Sequence, residues 1–189
     1  MIHLITHNLF LQYAKPEMKI LELGDQLMDI GEETQFQRSD EFYKSIGLNI
    51  ASVDIHGKNR AIAIDLSKES NAVFNVDLLT DFGTVEHVSN LYNALLNCHN
   101  WTNESGLMIH ANPKTGTYAG HGVSFFTMDF WKQLALACNY HLLEVGEKSP
   151  YSEENPDKEV IAVLRKLNSD PFIAKEVFQQ IADKYVFSE

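Results

Sequence analysis

Four acidic side chains stand at or near the ends of short apolar stretches, which makes them the first candidates for chemistry. Glu22 lies two residues before Gly24. Asp54, Asp65 and Asp81 each close an apolar run. If these runs are parallel strands, their carboxyl ends meet at the edge where open α/β sheets bind ligands. A carboxylate at the tip of the second strand can accept hydrogen bonds from both hydroxyls of a ribose, the chemistry we expect of Asp54. Turn or cap roles stay open for Asp54 and Asp65, because aspartate favours such positions anyway.

Three histidines fall where they could meet above the same edge. His87 follows the fourth predicted strand, His110 lies on the fifth, and His121 stands between two glycines in the next loop. Neutral imidazole can act as a base or a hydrogen-bond partner near pH 7, so His87 and His121 are our catalytic candidates. We predict that His110 is a core residue, and packing beneath the next helix stays open for His87. A metal site built from these histidines stays open, but no ligand spacing supports one, and we assign no metal ligands.

The elements that must position these side chains alternate between strand-like and helix-like stretches. Strand patterns cover residues 18–23, 49–54, 61–64, 76–81, 106–111, 140–145 and 159–164. Helical periodicity covers 2–13, 40–46, 86–97, a stretch that opens at Thr127, and 171–185. Thr84 is the predicted cap of the helix after the fourth strand, and Asp170 with Pro171 is predicted to open the last helix.

This alternation indicates βαβ units and a parallel sheet. The last two strands are joined by a charged loop instead of a helix, so one of them is predicted to be antiparallel. Phe125, Phe126 and Trp131 are predicted to lie in the core and not to form a stacking platform. The apolar stripe of the last helix is predicted to pack on its own domain.

Composition excludes several function classes. The chain has 189 residues, which suits one domain, and a formal net charge of −11 without a basic cluster, which argues against nucleic-acid binding. Apolar stretches fall short of the ~20 residues of a membrane span, and the first residues do not resemble a signal peptide. Cys98 and Cys138 lack zinc-site spacing and are predicted to be buried free thiols, which fits a reducing compartment. We therefore expect a cytoplasmic monomer or homodimer that binds neither nucleic acid nor membrane.

Five segments, taken in order, resemble the class I S-adenosylmethionine-dependent methyltransferases. They are Lys19-Ile-Leu-Glu-Leu-Gly24, Val53-Asp54, Ile64-Asp65-Leu66, Asp77-Leu-Leu-Thr-Asp-Phe-Gly-Thr-Val-Glu-His-Val88 and Gly106-Leu-Met-Ile-His110. The resemblance spans about residues 18–165. Its most specific part is the fourth segment, which is similar to the group that carries D-x-G-T-x-E-H-V after the fourth strand.

The resemblance implies an α/β fold, a Rossmann-like three-layer sandwich with a seven-stranded, mostly parallel sheet and a C-terminal antiparallel hairpin. Residues 1–189 would form a single methyltransferase-like domain with helical additions at 1–15 and 170–186. The implied activity is methyl transfer from S-adenosyl-L-methionine to a small or medium acceptor. In that setting His121 or His87 would orient or deprotonate the acceptor.

Cofactor-binding roles are also implied by the resemblance. The methionine end of the cofactor would lie against Glu22 and Gly24, the ribose hydroxyls on Asp54, and the adenine amine near Asp65. The segment Asp81, Phe82 and Gly83 would line the cleft for cofactor and substrate.

The first glycine motif departs from the family pattern. Only one glycine is present, and Asp25-Gln26 occupies the turn, where an acid could repel the cofactor's carboxylate. Two alternatives therefore stay open: a non-catalytic interaction module with a degenerate methyltransferase fold, and a nicotinamide-dependent oxidoreductase. The missing three-glycine fingerprint counts against the second. Acceptor specificity would lie in the helical additions and in loops 112–124 and 147–158, which carry no readable code.

Overall fold

The computed structural model describes residues 1–32, 34, 37–151 and 154–188. Part of loop 147–158 therefore lies outside the described residues. The strands are β1 (Ile2–His3), β2 (Lys19–Leu23), β3 (Met28–Asp29), β4 (Asn49–Asp54), β5 (Ile62–Ala63), β6 (Val76–Phe82), β7 (Thr102–Pro113), β8 (Phe125–Phe126), β9 (Tyr140–Lys148), β10 (Glu159–Lys166) and β11 (Val186–Phe187). The helices are α1 (Leu4–Tyr13), α2 (Ser39–Ser45), α3 (Leu91–Trp101), α4 (Met128–Ala137) and α5 (Lys175–Tyr185).

A seven-stranded sheet in the order β5-β4-β2-β6-β7-β10-β9 forms the middle layer. The strands from β5 to β7 are parallel, and β10 runs antiparallel to both β7 and β9. Two strand pairs lie outside this sheet, β1 with β3 and β8 with β11. Because β2 pairs with β4 on one side and β6 on the other, the strand order reverses there. Open α/β sheets bind ligands at such a reversal.

One apolar cluster covers each face of the sheet. On one face, Leu79 and Met108 pack with side chains of α3, α4 and α5, which include Trp101 and Trp131. On the other face, Leu78 and Ile109 pack with α1 and α2. Neighbouring residues of β6 and β7 thus point to opposite faces, as the pleat of a strand requires. The result is the predicted fold class, a Rossmann-like α/β sandwich whose last strands form an antiparallel hairpin.

Side chains predicted to lie in the core are buried. Phe125, Phe126 and Trp131 are almost inaccessible, and Cys98 and Cys138 are buried free thiols. Burial is the main cause that raises the pKa of both thiols above their ordinary range, so these groups resist ionisation.

The helix predicted over 86–97 begins later than expected. Residues Val85–His87 form a single 3-10 turn, and α3 starts only at Leu91. Asp81 causes the interruption, because its Oδ1 accepts hydrogen bonds from the amides of Thr84 and Val85, both at 3.1 Å. Thr84 thus stands at the start of the 3-10 turn without a side-chain capping hydrogen bond, and it does not cap α3. The side chain of Asn90 caps α3 by accepting from the amide of Asn93 at 3.2 Å.

The last helix also begins later than predicted, at Lys175 with Ala174 as its cap, so Asp170 and Pro171 do not open it. Residues 171–174 belong to no helix or strand, and Phe172 packs there against the ring of Tyr92. The Tyr92 hydroxyl donates to the carbonyl of Ile173 at 3.2 Å, and an imidazole nitrogen of His99 lies 2.8 Å from the carbonyl of Asp170. These tertiary bonds take the backbone carbonyls and outweigh the local capping signal.

The first helix is shorter as well, because Ile2–His3 pairs with β3.

Among the described residues, no helix combines the length and hydropathy that crossing a lipid bilayer requires.

Candidate functional site

A cleft of about 460 Å³ opens where the strand order reverses, at the carboxyl ends of β2, β4 and β6. Among the residues that line it are Gly24, Asp54, Asp65, Gly83 and His87. The structure thus gathers five of the nine predicted site residues around one cavity. Its volume lies in the range of small-molecule and cofactor sites, roughly 300–1,000 Å³.

Asp54 and Asp65 enter the cleft from neighbouring strand ends. One carboxylate oxygen of Asp54 accepts from the amide of His56 at 2.8 Å, and the other lies 3.4 Å from the amide of Asp25. Asp65 accepts from the amide and hydroxyl of Ser67 and forms an ion pair with Lys68. The Ser67 hydroxyl, more than Lys68, lowers the pKa of Asp65 below its ordinary value. Both acids are thus held by turn hydrogen bonds while they border the cavity.

The backbone at Gly24 is closely packed and left-handed. Its φ is +81°, and a Cβ there would come within 2.6 Å of the Thr84 hydroxyl and 2.7 Å of the Gln26 amide nitrogen. Thr84 also donates to the carbonyl of Leu23 at 2.8 Å and accepts from Gln26 at 3.1 Å. The positive φ and the close packing both favour glycine in this turn, which lines the cleft.

The acid in the first turn does not face the cleft as an isolated charge. Arg38, which precedes α2, forms an ion pair with Asp25, and the Asn59 side chain donates to Asp25 at 2.9 Å. The guanidinium also lies 3.5 Å from Asp40. A positive charge beside Asp25 offsets the repulsion of a cofactor carboxylate that the sequence suggested.

Glu22 lies beneath the cleft instead of lining it. It is 1% exposed, and the Ser39 hydroxyl donates to one of its carboxylate oxygens at 2.5 Å. Burial, the main cause, raises the pKa of Glu22 to about 7. This side chain therefore contacts α2 from below, and the predicted contact with the methionine end of a cofactor stays a prediction.

Asp81 is fully buried and holds the end of β6 together. Its Oδ1 fixes the 3-10 turn, and its Oδ2 accepts from His110 and from the Asn112 amide, both at 2.9 Å. His110 stacks on Trp131 with ring centroids 4.3 Å apart, so its predicted place in the core is confirmed. Asp81 thus acts through its neighbours and does not itself face the cleft.

A second cavity of about 290 Å³ adjoins the first and shares Gly83 and His87 with it. Phe82, His121 and Glu159 also line this cavity. The structure therefore places Phe82 and His121 on its wall, while His87 stands at the boundary. Burial is the main cause that raises the pKa of Glu159 to about 7.

Glu86 is the main functional candidate that the sequence reasoning missed. It is 1% exposed, and its Oε1 lies 3.7 Å from Nε2 of His87 and 3.8 Å from Nε2 of His121. Burial, followed by the charge of Asp81, raises the pKa of Glu86 to about 8. The sequence signal that could have identified Glu86 is its position directly before His87 in the segment that carries the resemblance.

The loop that carries His121 is attached to the backbone of Glu86. The amides of Val123 and Ser124 both donate to the Glu86 carbonyl, at 2.8 and 3.1 Å. A Cβ on Gly122 would come within 3.1 Å of the Glu86 side chain and backbone. The glycine beside His121 therefore permits the close approach that brings the two histidine rings to 4.9 Å between centroids.

The structure is a Rossmann-like α/β sandwich with a cleft where the strand order reverses. Solved structures similar to this chain include a Burkholderia thailandensis 1,6-didemethyltoxoflavin-N1-methyltransferase with bound 1,6-didemethyltoxoflavin and S-adenosylhomocysteine. It has a TM-score of 0.59 and 14% identity, over 80% of this chain and 72% of that one. A Methanosarcina mazei S-adenosylmethionine-dependent methyltransferase has a TM-score of 0.57 and 11% identity, over 88% and 98%. NodS, an N-methyltransferase from Bradyrhizobium japonicum, has a TM-score of 0.57 and 14% identity, over 86% and 92%.

These neighbours are methyltransferases, and at this level of identity the likeness establishes the fold. No protein-family model and no curated protein matches the chain. The residues of the cleft nevertheless fit the cofactor of such enzymes, because Gly24, which has no side chain, and the acid Asp54 both line the cavity.

Proposed function

We propose that this protein is an S-adenosylmethionine-dependent methyltransferase that acts on a small or medium acceptor. One observation carries the proposal: the cleft at the strand-order reversal, with Asp54 on its wall, joins a second cavity through Gly83 and His87. A methyltransferase needs two adjoining sites of this kind, one for the donor and one for the acceptor.

The chain's own residues would hold the donor through its sugar and base. Asp54 would accept hydrogen bonds from the ribose hydroxyls, Asp65 would approach the adenine amine, and the backbone at Gly24 would contact the methionine end. The positive charge of Arg38 would offset the repulsion between Asp25 and the carboxylate at the methionine end. When bound, the cofactor supplies an electrophilic methyl group on a sulfonium, and the protein contributes position and electrostatics.

The acceptor would occupy the second cavity. His87 and His121 border that space with side chains that are each 48% exposed, so an acceptor can reach them. Burial, more than the neighbouring His121, lowers the pKa of His87, which favours the neutral imidazole that can accept a proton. Correct placement of acceptor and donor can itself supply on the order of 7–11 kcal/mol of the barrier reduction.

Binding of S-adenosylhomocysteine tests the donor site directly. Asp54→Ala should weaken binding by about 1–3 kcal/mol, because buried ribose hydroxyls would lose their acceptor. Isothermal titration calorimetry of both forms measures this change. Asp183→Ala is the matched control, since Asp183 is an exposed aspartate of α5 and lies away from the cleft.

Equal affinities of the wild type and Asp54→Ala would contradict the role of Asp54. Asp54→Asn is a useful second variant because one side-chain oxygen can still accept from the His56 amide, so the turn is kept. Thermal shifts with S-adenosylhomocysteine and with NAD separate the two enzyme classes, since a ligand that binds the native state raises the unfolding midpoint. A shift with neither ligand would support the non-catalytic module.

A further inference from the structure

Three metal-ligating side chains converge at the boundary between the two cavities. Oε1 of Glu86, one ring nitrogen of His87 and one of His121 all lie within 4.8 Å of one another. Both imidazole Nε2 atoms face the same carboxylate oxygen, at 3.7 and 3.8 Å. Those separations are too long for hydrogen bonds and leave room between the three atoms. For comparison, ligand atoms around a tetrahedral ion with ~2.1 Å bonds stand about 3.4 Å apart.

The Glu86 carboxylate is held in place while its facing oxygen lacks a partner. The Asn112 amide donates to Oε2 at 3.2 Å, which fixes the orientation of the group. Among the described residues, Oε1 is a buried oxygen without a hydrogen-bond donor. Such an orphaned acceptor is costly unless a proton or a cation satisfies it.

We propose that Glu86, His87 and His121 bind a divalent first-row transition metal ion. The cation would satisfy the carboxylate oxygen that has no hydrogen-bond donor, and the two neutral imidazoles complete three protein ligands. Asn112 then acts as the outer partner that orients the carboxylate ligand, as outer hydrogen bonds do in many metal sites.

The donor set selects the class of metal. Two imidazole nitrogens and one carboxylate oxygen suit zinc, iron or a similar ion, whereas magnesium prefers oxygen ligands. Three protein ligands leave at least one coordination position open, which is the arrangement of catalytic and not structural zinc sites.

An open coordination position would be reached from the second cavity, because Glu86, His87 and His121 all border it. A molecule with an oxygen donor, such as a hydroxyl compound, would bind there through that oxygen. This part of the inference rests on the proposed function, which places the acceptor in the same cavity. In the metal-bound state the two imidazoles are ligands, so they orient the acceptor through the ion and not as free bases.

Zinc binding to the full-length protein, measured by calorimetry without any methyl donor, tests the site. We expect one Zn²⁺ per chain and at least tenfold weaker binding of Mg²⁺. Glu86→Gln, which keeps the shape of the buried side chain, and His121→Ala should each weaken Zn²⁺ binding at least tenfold. His141→Ala is the matched control, because His141 is an exposed histidine of β9 and should bind Zn²⁺ as the wild type does.

Three results would overturn the proposal: no stoichiometric zinc binding by the wild type, Mg²⁺ binding as tight as Zn²⁺ binding, or unchanged zinc affinity in both site variants. Circular dichroism shows whether each variant is folded. Because His121 lies in a loop, His121→Ala still tests the site if Glu86→Gln misfolds. Titration of S-adenosylhomocysteine against the same variants keeps the two proposals apart. Zinc binding without donor binding contradicts the methyltransferase, and the reverse contradicts the metal site.

Discussion

Residues of one chemical type take different roles here because their surroundings differ. Glu22 and Glu86 are both buried acids with pKa values raised mainly by burial, to about 7 and about 8. Glu22 has a serine partner beneath the cleft, whereas the free oxygen of Glu86 faces two histidines. Asp54 borders the cleft and is held by backbone amides. Burial and partners, not residue type, thus separate a supporting acid from a candidate ligand.

Glu22 should make the folded state less stable as the pH rises. Its pKa is about 7 in the folded protein against 4.5 in the unfolded chain, so the native state holds the proton more tightly. The native state therefore loses stability between pH 4.5 and 7, by about 3 kcal/mol in total from this group. Glu22→Gln removes that loss. We expect the variant to gain stability over the wild type between pH 5 and pH 8, measured by urea unfolding at each pH.

Glu17→Gln is the control for removing one carboxyl group, because Glu17 is exposed just before β2. A stability difference between Glu22→Gln and the wild type that does not change with pH would refute the assigned titration.

The sequence identified many residues of the site but not their surroundings. Gly24, Asp54 and Asp65 were found because glycine and acids at strand ends are local patterns, and all three line the cleft. Glu86 was missed because its burial depends on Asn112 and on the loop after β7, which are far away in the chain. A local sequence pattern cannot show which acidic side chain becomes buried and loses its contact with water.

At the scale of elements, the strands followed their local sequence more closely than the helix starts did. The predicted strand over 49–54 is reproduced as Asn49–Asp54, and Thr127 caps α4 as predicted. The start of α3 differs because Asp81, held in place by the sheet, captures the amides of Thr84 and Val85. Helix caps are local signals, and a tertiary partner can outcompete them.

The cap of α3 gives a direct test of this assignment. Asn90→Ala should destabilise the protein by about 1 kcal/mol, because the amide of Asn93 loses its acceptor. Thermal or urea unfolding measures the loss. Asn100→Ala is the matched control, since Asn100 is an exposed residue of the same helix and alanine favours helix formation. If both variants were equally stable, Asn90 would not be the cap.

Local sequence also does not determine the conformation of the loop between β7 and β8. Its glycines permit many conformations, and hydrogen bonds to distant residues select one of them. Among these bonds are those from Val123 and Ser124 to the Glu86 carbonyl and that from the Tyr118 amide to Asp157. His121 reaches His87 for that reason. The sequence placed both histidines above one edge, and the structure supplied the contact that brings them together.

At the scale of the whole molecule, the C-terminal helix belongs to the same core as the sheet. Phe178 of α5 is buried among Tyr92, Phe130 and Phe172. Of the predicted stripe, Ile173 and Ile181 pack partly buried against the same cluster, whereas Val177 is 43% exposed, so the stripe covers its own domain only in part. Through Phe178, α5 packs against both α3 and α4 on one face of the sheet.

Removal of that ring should cost more than any exposed change on the same helix. Phe178→Ala should destabilise the protein by about 3–5 kcal/mol, because the cavity left beside three aromatic rings cannot close. Val177→Ala, at a side chain that is 43% exposed, should change stability by less than about 0.5 kcal/mol. Urea unfolding of both variants checks the contrast. Similar losses in the two variants would mean that α5 does not share the core.

The sequence by itself determined the order of the strands along the chain, the acids at their carboxyl ends and the class of fold. Periodicity and strand-end residues are patterns among residues that are close together in the sequence. Tertiary structure alone decided which of those acids are buried, where three of the helices begin and how close Glu86 lies to two histidines. These features depend on desolvation and on hydrogen bonds between residues distant in sequence. Both contribute free energy only when the sheet, the helices and the loop have packed together.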